Sequence, residues 1–304
     1  MSTVLISGGT GLIGRHLCKK LIGKGYSVSI LSRTGFTEGE IPVFHFDTDK
    51  NEIDERAIRE ADYIVHLAGA NIGEKRWTKN RKQLIVDSRV KTAQLIFEKV
   101  KEYNVKLKAF ISASAIGYYG AITTNKKFSE TDSPYTDFLG ETCRLWEKSA
   151  DSFEEIGIRT VKVRTGVVLT SQGGALAKMI TPVKLGIGSA IGSGKQFIPW
   201  IHIDDLCNIY IKAIEDTQMH GAYNAVAPDF KTNREFTKEI AKVLKKPFWF
   251  PDVPDFIIKL LFGEMSEMIL KGSSVSPDKI INAGYEFIFP GLEGALKNVL
   301  KIEE

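Results

Sequence analysis

Val4-Leu5-Ile6-Ser7-Gly8-Gly9-Thr10-Gly11-Leu12-Ile13-Gly14 is the stretch whose reading decides the fold. An apolar run passes directly into glycines at positions 8, 11 and 14. His16, Leu17, Leu21 and Ile22 then recur at helical spacing through residues 15–24. A glycine triplet alone says little, but in a strand–turn–helix context it marks a dinucleotide-binding turn. Gly8 permits the tight turn, Gly11 lets backbone approach a pyrophosphate, and Gly14 lets helix and strand pack closely. The helix N-terminus adds unpaired N–H donors and a positive dipole end. The binding candidates here are Gly8, Thr10, Gly11, Leu12, Ile13 and Gly14; the alternative is a glycine-rich connection without a ligand.

Outward from this turn, short apolar runs alternate with amphipathic segments. Strands are expected at 4–7, 27–31, 43–46, 63–67, 109–112 and 161–164, with helices at 81–103 and 138–153. This repetition predicts an α/β fold, a Rossmann-type doubly wound parallel sheet. After Gly166 the texture changes to a glycine-rich insertion between 169 and 197. Helices follow at 234–244, 256–270 and 292–300. The expected division is a nucleotide-binding domain over 1–170 that also receives about 198–227. A smaller substrate domain comprises 171–197 and 228–304, over the carboxyl edge of the sheet.

Cofactor choice is read at the end of the second strand, where an acid would bond a ribose 2′-hydroxyl. Here that strand ends in Ser32-Arg33-Thr34, with no acid. The Arg33 guanidinium can pair bidentately with a 2′-phosphate, which an acid would repel. Ser32 and Arg33 therefore point to NADP (NADPH) over NAD, with Arg15 a second cation nearby; the other reading of Arg33 is a solvated side chain.

Composition excludes other classes. The 304 residues carry 41 basic and 37 acidic side chains, a net charge of +4 without any long basic run. Neither nucleic acid nor a membrane is an expected partner; a small-molecule substrate is. Cys18, Cys143 and Cys207 are scattered and lack companion histidines, which argues against a disulfide framework and a metal site. No apolar stretch approaches a bilayer span, and the chain enters its first strand straight from Met1, so a cytoplasmic location is the expectation. Helix faces around 81–103 can pair in a homodimer or stay solvated.

The chain resembles the extended short-chain dehydrogenases/reductases, the class of nucleotide-sugar epimerases and dehydratases. The resemblance rests on the GxxGxxG spacing, His66-Leu67-Ala68-Gly69-Ala70, Phe110-Ile111-Ser112-Ala113-Ser114, Ile201-His202-Ile203-Asp204-Asp205 and Tyr223-Asn224-Ala225. Within that class it is similar to an atypical epimerase-like subgroup, through Lys75-Arg76-Trp77-Thr78, Ser114-Ala115-Ile116-Gly117-Tyr118-Tyr119-Gly120, Gly173-Gly174-Ala175-Leu176 and the tail from Leu261 to Pro277. The resemblance implies that Ala68 and Gly69 lie along the cofactor and Ser112 sits at a strand end below the nicotinamide. It also implies that Thr165, Gly166 and Val167 meet the carboxamide side through backbone groups.

The same resemblance exposes a loss. Members of the class carry Tyr-x-x-x-Lys on the helix after the Ser-bearing strand, the Lys lowering the phenol pKa for general acid/base work. Counting places that pair at Leu139 and Cys143, which share an apolar stripe with Trp146, Ala150 and Phe153. Leu139 has no proton to exchange. Substitutes are Ser114, at the class's Ser/Thr position, and Tyr118 or its neighbour Tyr119; Tyr135 is weaker. Lys75, Arg76 and Trp77 can meet an anionic or planar substrate, and His202 reads as a hydrogen-bonded structural histidine. Two functions follow: an NADP-dependent oxidoreductase or epimerase-like enzyme with a non-standard proton donor, or a catalytically inactive NADP(H)-binding sensor.

Overall fold

The N-terminal apolar run becomes the strand from which the sheet is built in both directions. The computed structural model describes residues 1–34 and 41–302. In it β1 (Thr3–Ser7) lies between β2 (Ser27–Ser32) and β5 (Tyr63–His66). Beyond β2 come β3 (Val43–Asp47) and β4 (Glu52–Ile53). Beyond β5 come β6 (Ala109–Ala115), β7 (Thr160–Thr165) and β8 (Gly221–Ala225). The order is β8-β7-β6-β5-β1-β2-β3-β4. All neighbours are parallel except the β3–β4 pair at one edge.

Both faces of a parallel sheet are covered, so its strands are apolar throughout rather than alternating. Val4 and Ile6 enter one core with Leu17 and Leu21 of α1 (Leu12–Gly23), and Leu5 enters the other with Ile96 and Val100 of α2 (Lys79–Glu102). The stripe read on α3 (Phe138–Asp151) is buried as expected, from Leu139 at 7% exposure to Ala150 at 0%. Helix α4 (Ile203–Glu215) packs beside α1 and delivers the chain to the edge strand β8.

Two expectations are corrected. The strand expected at 109–112 continues to Ala115, because β7 pairs with it as far as Ala115↔Thr165; Ser112 is therefore interior to the strand rather than at its end. The helix expected at 256–270 breaks into Asp255–Phe262, a 3-10 turn at Gly263–Ser266 and Glu267–Leu270. Gly263, at φ +59, turns the chain there. Beyond Gly166, Val167–Leu169 pairs in parallel with Trp200–His202 as a separate two-stranded sheet. That sheet shares a third core with Leu176, Phe236, Ile240 and Leu296.

Two buried polar contacts pin the sheet. The His66 imidazole, fully buried, receives the Ser7 hydroxyl at Nδ1 (2.7 Å) and gives its Nε2 proton to the Arg89 carbonyl (3.1 Å). Farther along, Arg164 on β7 grips Glu147 on α3 bidentately, Nε to Oε1 at 2.8 Å and Nη2 to Oε2 at 2.9 Å, with both side chains under 10% exposed. Burial alone would lower the Arg164 pKa; the Glu147 carboxylate reverses that and raises it.

Burial lowers the His66 pKa from 6.5 to about 4. An unfolded chain therefore binds a proton between those values that the folded one refuses, and stability falls as pH drops below about 6.5. Denaturant unfolding at pH 7 and pH 5 should show a loss that is smaller by about 2 kcal/mol in His66→Gln, the buried His202 contributing in both proteins; an unaltered pH dependence in the variant would remove His66 from the account. Arg164→Met should cost about 3–5 kcal/mol by stranding a buried carboxylate, and adding Glu147→Leu should restore part of it. Equal losses in the single and double variants would mean that the two groups do not act as a pair.

Candidate functional site

The sheet order gathers the loops that follow β1, β2 and β5 at one edge, where the chain winds away from β1 in opposite directions. Such a switch point opens a crevice outside the carboxyl ends of the strands. At its centre the Gly8–Gly14 turn is made of close backbone approaches. Gly8 has φ +78, and a Cβ there would lie 2.8 Å from the Ala68 nitrogen; one on Gly14 would lie 2.3 Å from the Gly8 oxygen. Gly11 differs. A Cβ on it would meet only the Gly8 oxygen, at 3.2 Å, and Gly11 faces solvent. It is the N-cap of α1 with no side-chain cap, and the first turn holds no acid. The open space in front of these N–H donors fits a phosphate group.

The other cofactor candidates distribute around this cradle. Thr10, Leu12, Ile13 and Ala68 are half-buried, and Gly69 is exposed. Ser32 is buried and its Oγ accepts from the Thr34 nitrogen at 3.3 Å. Arg33 follows it into solvent and pairs with no carboxylate among the described residues. Ser112, inside the strand, donates its hydroxyl to the Ala113 carbonyl at 2.9 Å. The N–H donors of Gly166 and Val167 are already given to the carbonyls of Ala225 (3.1 Å) and Pro199 (2.8 Å). Those backbone donors are therefore spent on joining the small sheet to the large one.

The positions at which the resemblance placed the class's tyrosine and lysine are apolar and closed. Leu139 and Cys143 are buried and press on the 3-10 turn Ile116–Tyr119: a Cβ on Gly117 would meet Leu139 Cβ at 3.4 Å and Cys143 Sγ at 3.7 Å. Burial pushes the Cys143 thiol up to about 12. Ser114, 3% exposed, gives its proton to Glu147 Oε1 at 2.6 Å, on the same carboxylate that Arg164 holds. The hydroxyl expected to meet a substrate oxygen is thus committed to Glu147, the acid one helical turn beyond Cys143. Tyr118 is half-buried with the Arg164 guanidinium 3.5 Å from its ring centroid, and burial raises its phenol pKa. Tyr119 is buried and donates to Asn224 Oδ1 at 2.7 Å while receiving from Arg164 at 3.0 Å.

Glu147 and Arg164 were not among the candidates read from the sequence. The available signal was a charged residue at each of two positions otherwise expected to face the core. His202 caps α4, accepting from the Asp204 nitrogen at 3.1 Å and meeting Asn298 at 3.2 Å, a structural histidine as expected. Trp77 is 9% exposed, bonded to the Ile72 carbonyl and edge-on to Phe138, so this ring is a wall; Arg76 bonds the Leu260 carbonyl. A small cavity of about 160 Å³ opens beside them, lined by Trp77, Ala121, Tyr135, Phe138, Leu139 and Glu264.

With this geometry in view, comparison with known proteins is direct. Residues 4–225 match the family model described as "NAD dependent epimerase/dehydratase family", and residues 253–299 match one described as a domain of unknown function (DUF1731). Epimerase family protein YfhF of Bacillus subtilis is 36% identical over 98% of this chain and 97% of its own length. Epimerase family protein SDR39U1 of Mus musculus is 35% identical over 98% and 99%. The crystal structure of human epimerase family protein SDR39U1 (isoform 2) with NADPH superposes with a TM-score of 0.86 at 32% identity, covering 99% of this chain and 100% of that one. A match over most of the chain and relatives above 30% identity along its whole length lead to one conclusion: the chain belongs to the NAD dependent epimerase/dehydratase family.

Proposed function

We propose that this chain binds NADPH in the Gly8–Gly14 cradle and is an oxidoreductase or epimerase-like enzyme for a small carbonyl or hydroxyl substrate. The observation that carries the binding is the uncapped N-terminus of α1 behind an open Gly11. The human relative with NADPH supports it. When bound, the cofactor would supply the hydride that such chemistry requires. The chain's own residues do the rest. The Gly11 N–H is held by the Gly8 carbonyl (3.0 Å), so the N–H groups of the first turn of α1, from Leu12 on, take the pyrophosphate, and Gly8, Thr10, Leu12, Ile13, Ala68 and Gly69 shape the groove. Arg33, at the end of β2, takes the 2′-phosphate. Ser112 and Val167 pack beneath and beside the nicotinamide end without offering it a side-chain donor. Leu139 and Cys143 keep water from that end of the site.

The proton is the distinctive part. Ser114 is tied to Glu147, so Tyr118, half-buried on the turn after β6, is the phenol proposed to exchange a proton with substrate. The guanidinium of Arg164 over its ring favours the phenolate that forms when the proton leaves. A second reading, a catalytically inactive NADP(H) sensor, is favoured by the closed Ser114–Glu147–Arg164 arrangement, which leaves the usual relay position without a proton.

Purified protein mixed with NADPH and a panel of carbonyl compounds and nucleotide sugars separates these readings. Turnover followed by NADPH absorbance, abolished in Tyr118→Phe and reduced by less than about tenfold in Ser114→Ala, is the outcome expected of the enzyme. Tight NADPH binding with no turnover across the panel would leave the sensor. Titration of Arg33→Glu should show NADPH affinity falling by about 10- to 100-fold while NADH affinity changes little. Equal losses for both cofactors would place the 2′-phosphate away from Arg33.

A further inference from the structure

The part of the surface that the cofactor groove leaves unexplained lies on the DUF1731-matched segment and the loop beside it. Helix Asp255–Phe262 buries only Ile258. Phe256 is 68% exposed, Leu260 74% and Leu261 59%, and just upstream Trp249 is 71% exposed with Phe250 packed on it at 4.9 Å. The loop carrying exposed Leu185 and Ile187 runs alongside the same chain. The Val253 nitrogen bonds the Ala190 carbonyl at 2.9 Å, and the Gly192 nitrogen bonds the Val253 carbonyl at 2.8 Å. A Cβ on Gly186 would touch Pro247. Large apolar side chains thus stand exposed on neighbouring stretches of chain, which an ordinary monomer surface does not require.

The charges around this patch are one-sided. Lys75, Lys184, Lys245, Lys246 and Lys259 are exposed, and none of them forms an ion pair among the described residues. The acids of the same segments are mostly taken: Glu74 by Arg81, Asp252 by Arg234 and Glu264 by Lys82, leaving Asp255 as the exposed exception. A second copy of the chain seated on this face by a two-fold axis would set one lysine rim against another. Exposed Trp, Phe and Leu with unpaired lysines on the same stretches of chain instead have the composition of a surface that dips into the headgroup layer of an anionic bilayer. No helix among the described residues is long and apolar enough to cross a membrane, so the contact would be peripheral.

We infer that Trp249, Phe250, Phe256, Leu260 and Leu261, with the rim of Lys184, Lys245, Lys246 and Lys259, form a docking surface for an anionic lipid membrane. This inference does not rest on the reaction proposed above. The lysines come from separate stretches of sequence, which is why no basic run announces them.

The full-length protein supplies its own reporter. Trp77, Trp146 and Trp200 are buried and Trp249 is the exposed tryptophan, so an emission shift reads this patch. Adding phosphatidylcholine vesicles containing phosphatidylserine should shift emission to the blue and carry the protein into the pellet, reversibly with salt. Pure phosphatidylcholine vesicles should do neither. Phe256→Ser/Leu260→Ser and, separately, Lys245→Glu/Lys246→Glu/Lys259→Glu should each weaken vesicle binding by at least about tenfold with NADPH binding unchanged. Should the first pair fail to fold, the charge-reversed variant still decides the matter. The inference is overturned by vesicle binding that ignores phosphatidylserine or both sets of substitutions. It is equally overturned by a dimer that Phe256→Ser/Leu260→Ser dissociates in a protein that ignores vesicles, or by binding to polyglutamate but not to the anionic vesicles.

Discussion

Backbone passing against backbone, at distances no side chain would permit, is the constraint on which this molecule turns. The loop after β1 meets the loop after β5 where Gly8 faces Leu67 and Ala68, and α1 begins against the Gly8 carbonyl because Gly14 has no Cβ. These contacts set how near the helix axis lies to the strand ends, and so where its N–H donors point. The sheet order then brings the ends of β2 and β5 to the same place.

Much of this was legible because it is written in local pattern. The glycine spacing, the apolar runs of β1, β2 and β5 and the buried stripe on α3 each follow from a few neighbouring residues. The far half of β6 was not, since Ala113, Ser114 and Ala115 have weak strand character and owe their extension to β7. Nor was the bond between Ser114 and Glu147, which lie 33 residues apart and meet only once α3 is docked on the sheet. The split of the helix near the C-terminus turns on one glycine whose backbone angle a hydropathy pattern does not report.

The proposed binding and the proposed chemistry draw on different materials. The cradle consists almost entirely of main chain, whose donors are present whatever the neighbouring side chains become. The end proposed for the chemistry depends on side chains, and there the apolar Leu139 and Cys143 are joined to an internally neutral arrangement in which a hydroxyl, a carboxylate and a guanidinium satisfy one another. Such an arrangement has low need of water and little capacity left for a ligand. Tyr118 borders it on the outside, which makes that ring the meeting point of the two halves.

The closure around Glu147 also bears on how freely a lineage carrying it can change course. Putting tyrosine at Leu139 and lysine at Cys143 would not by itself recreate an acid/base relay. The new ammonium would arise one helical turn from Glu147, inside an apolar stripe, and would contend with Arg164 for the Glu147 carboxylate. The serine meant to cooperate with the phenol would still be turned toward that carboxylate. Several residues on α3, β6 and β7 would have to change together, each intermediate carrying an unmatched buried charge. The packing of Leu139 and Cys143 and the bonds around Glu147 thus hold this end of α3 in its present form.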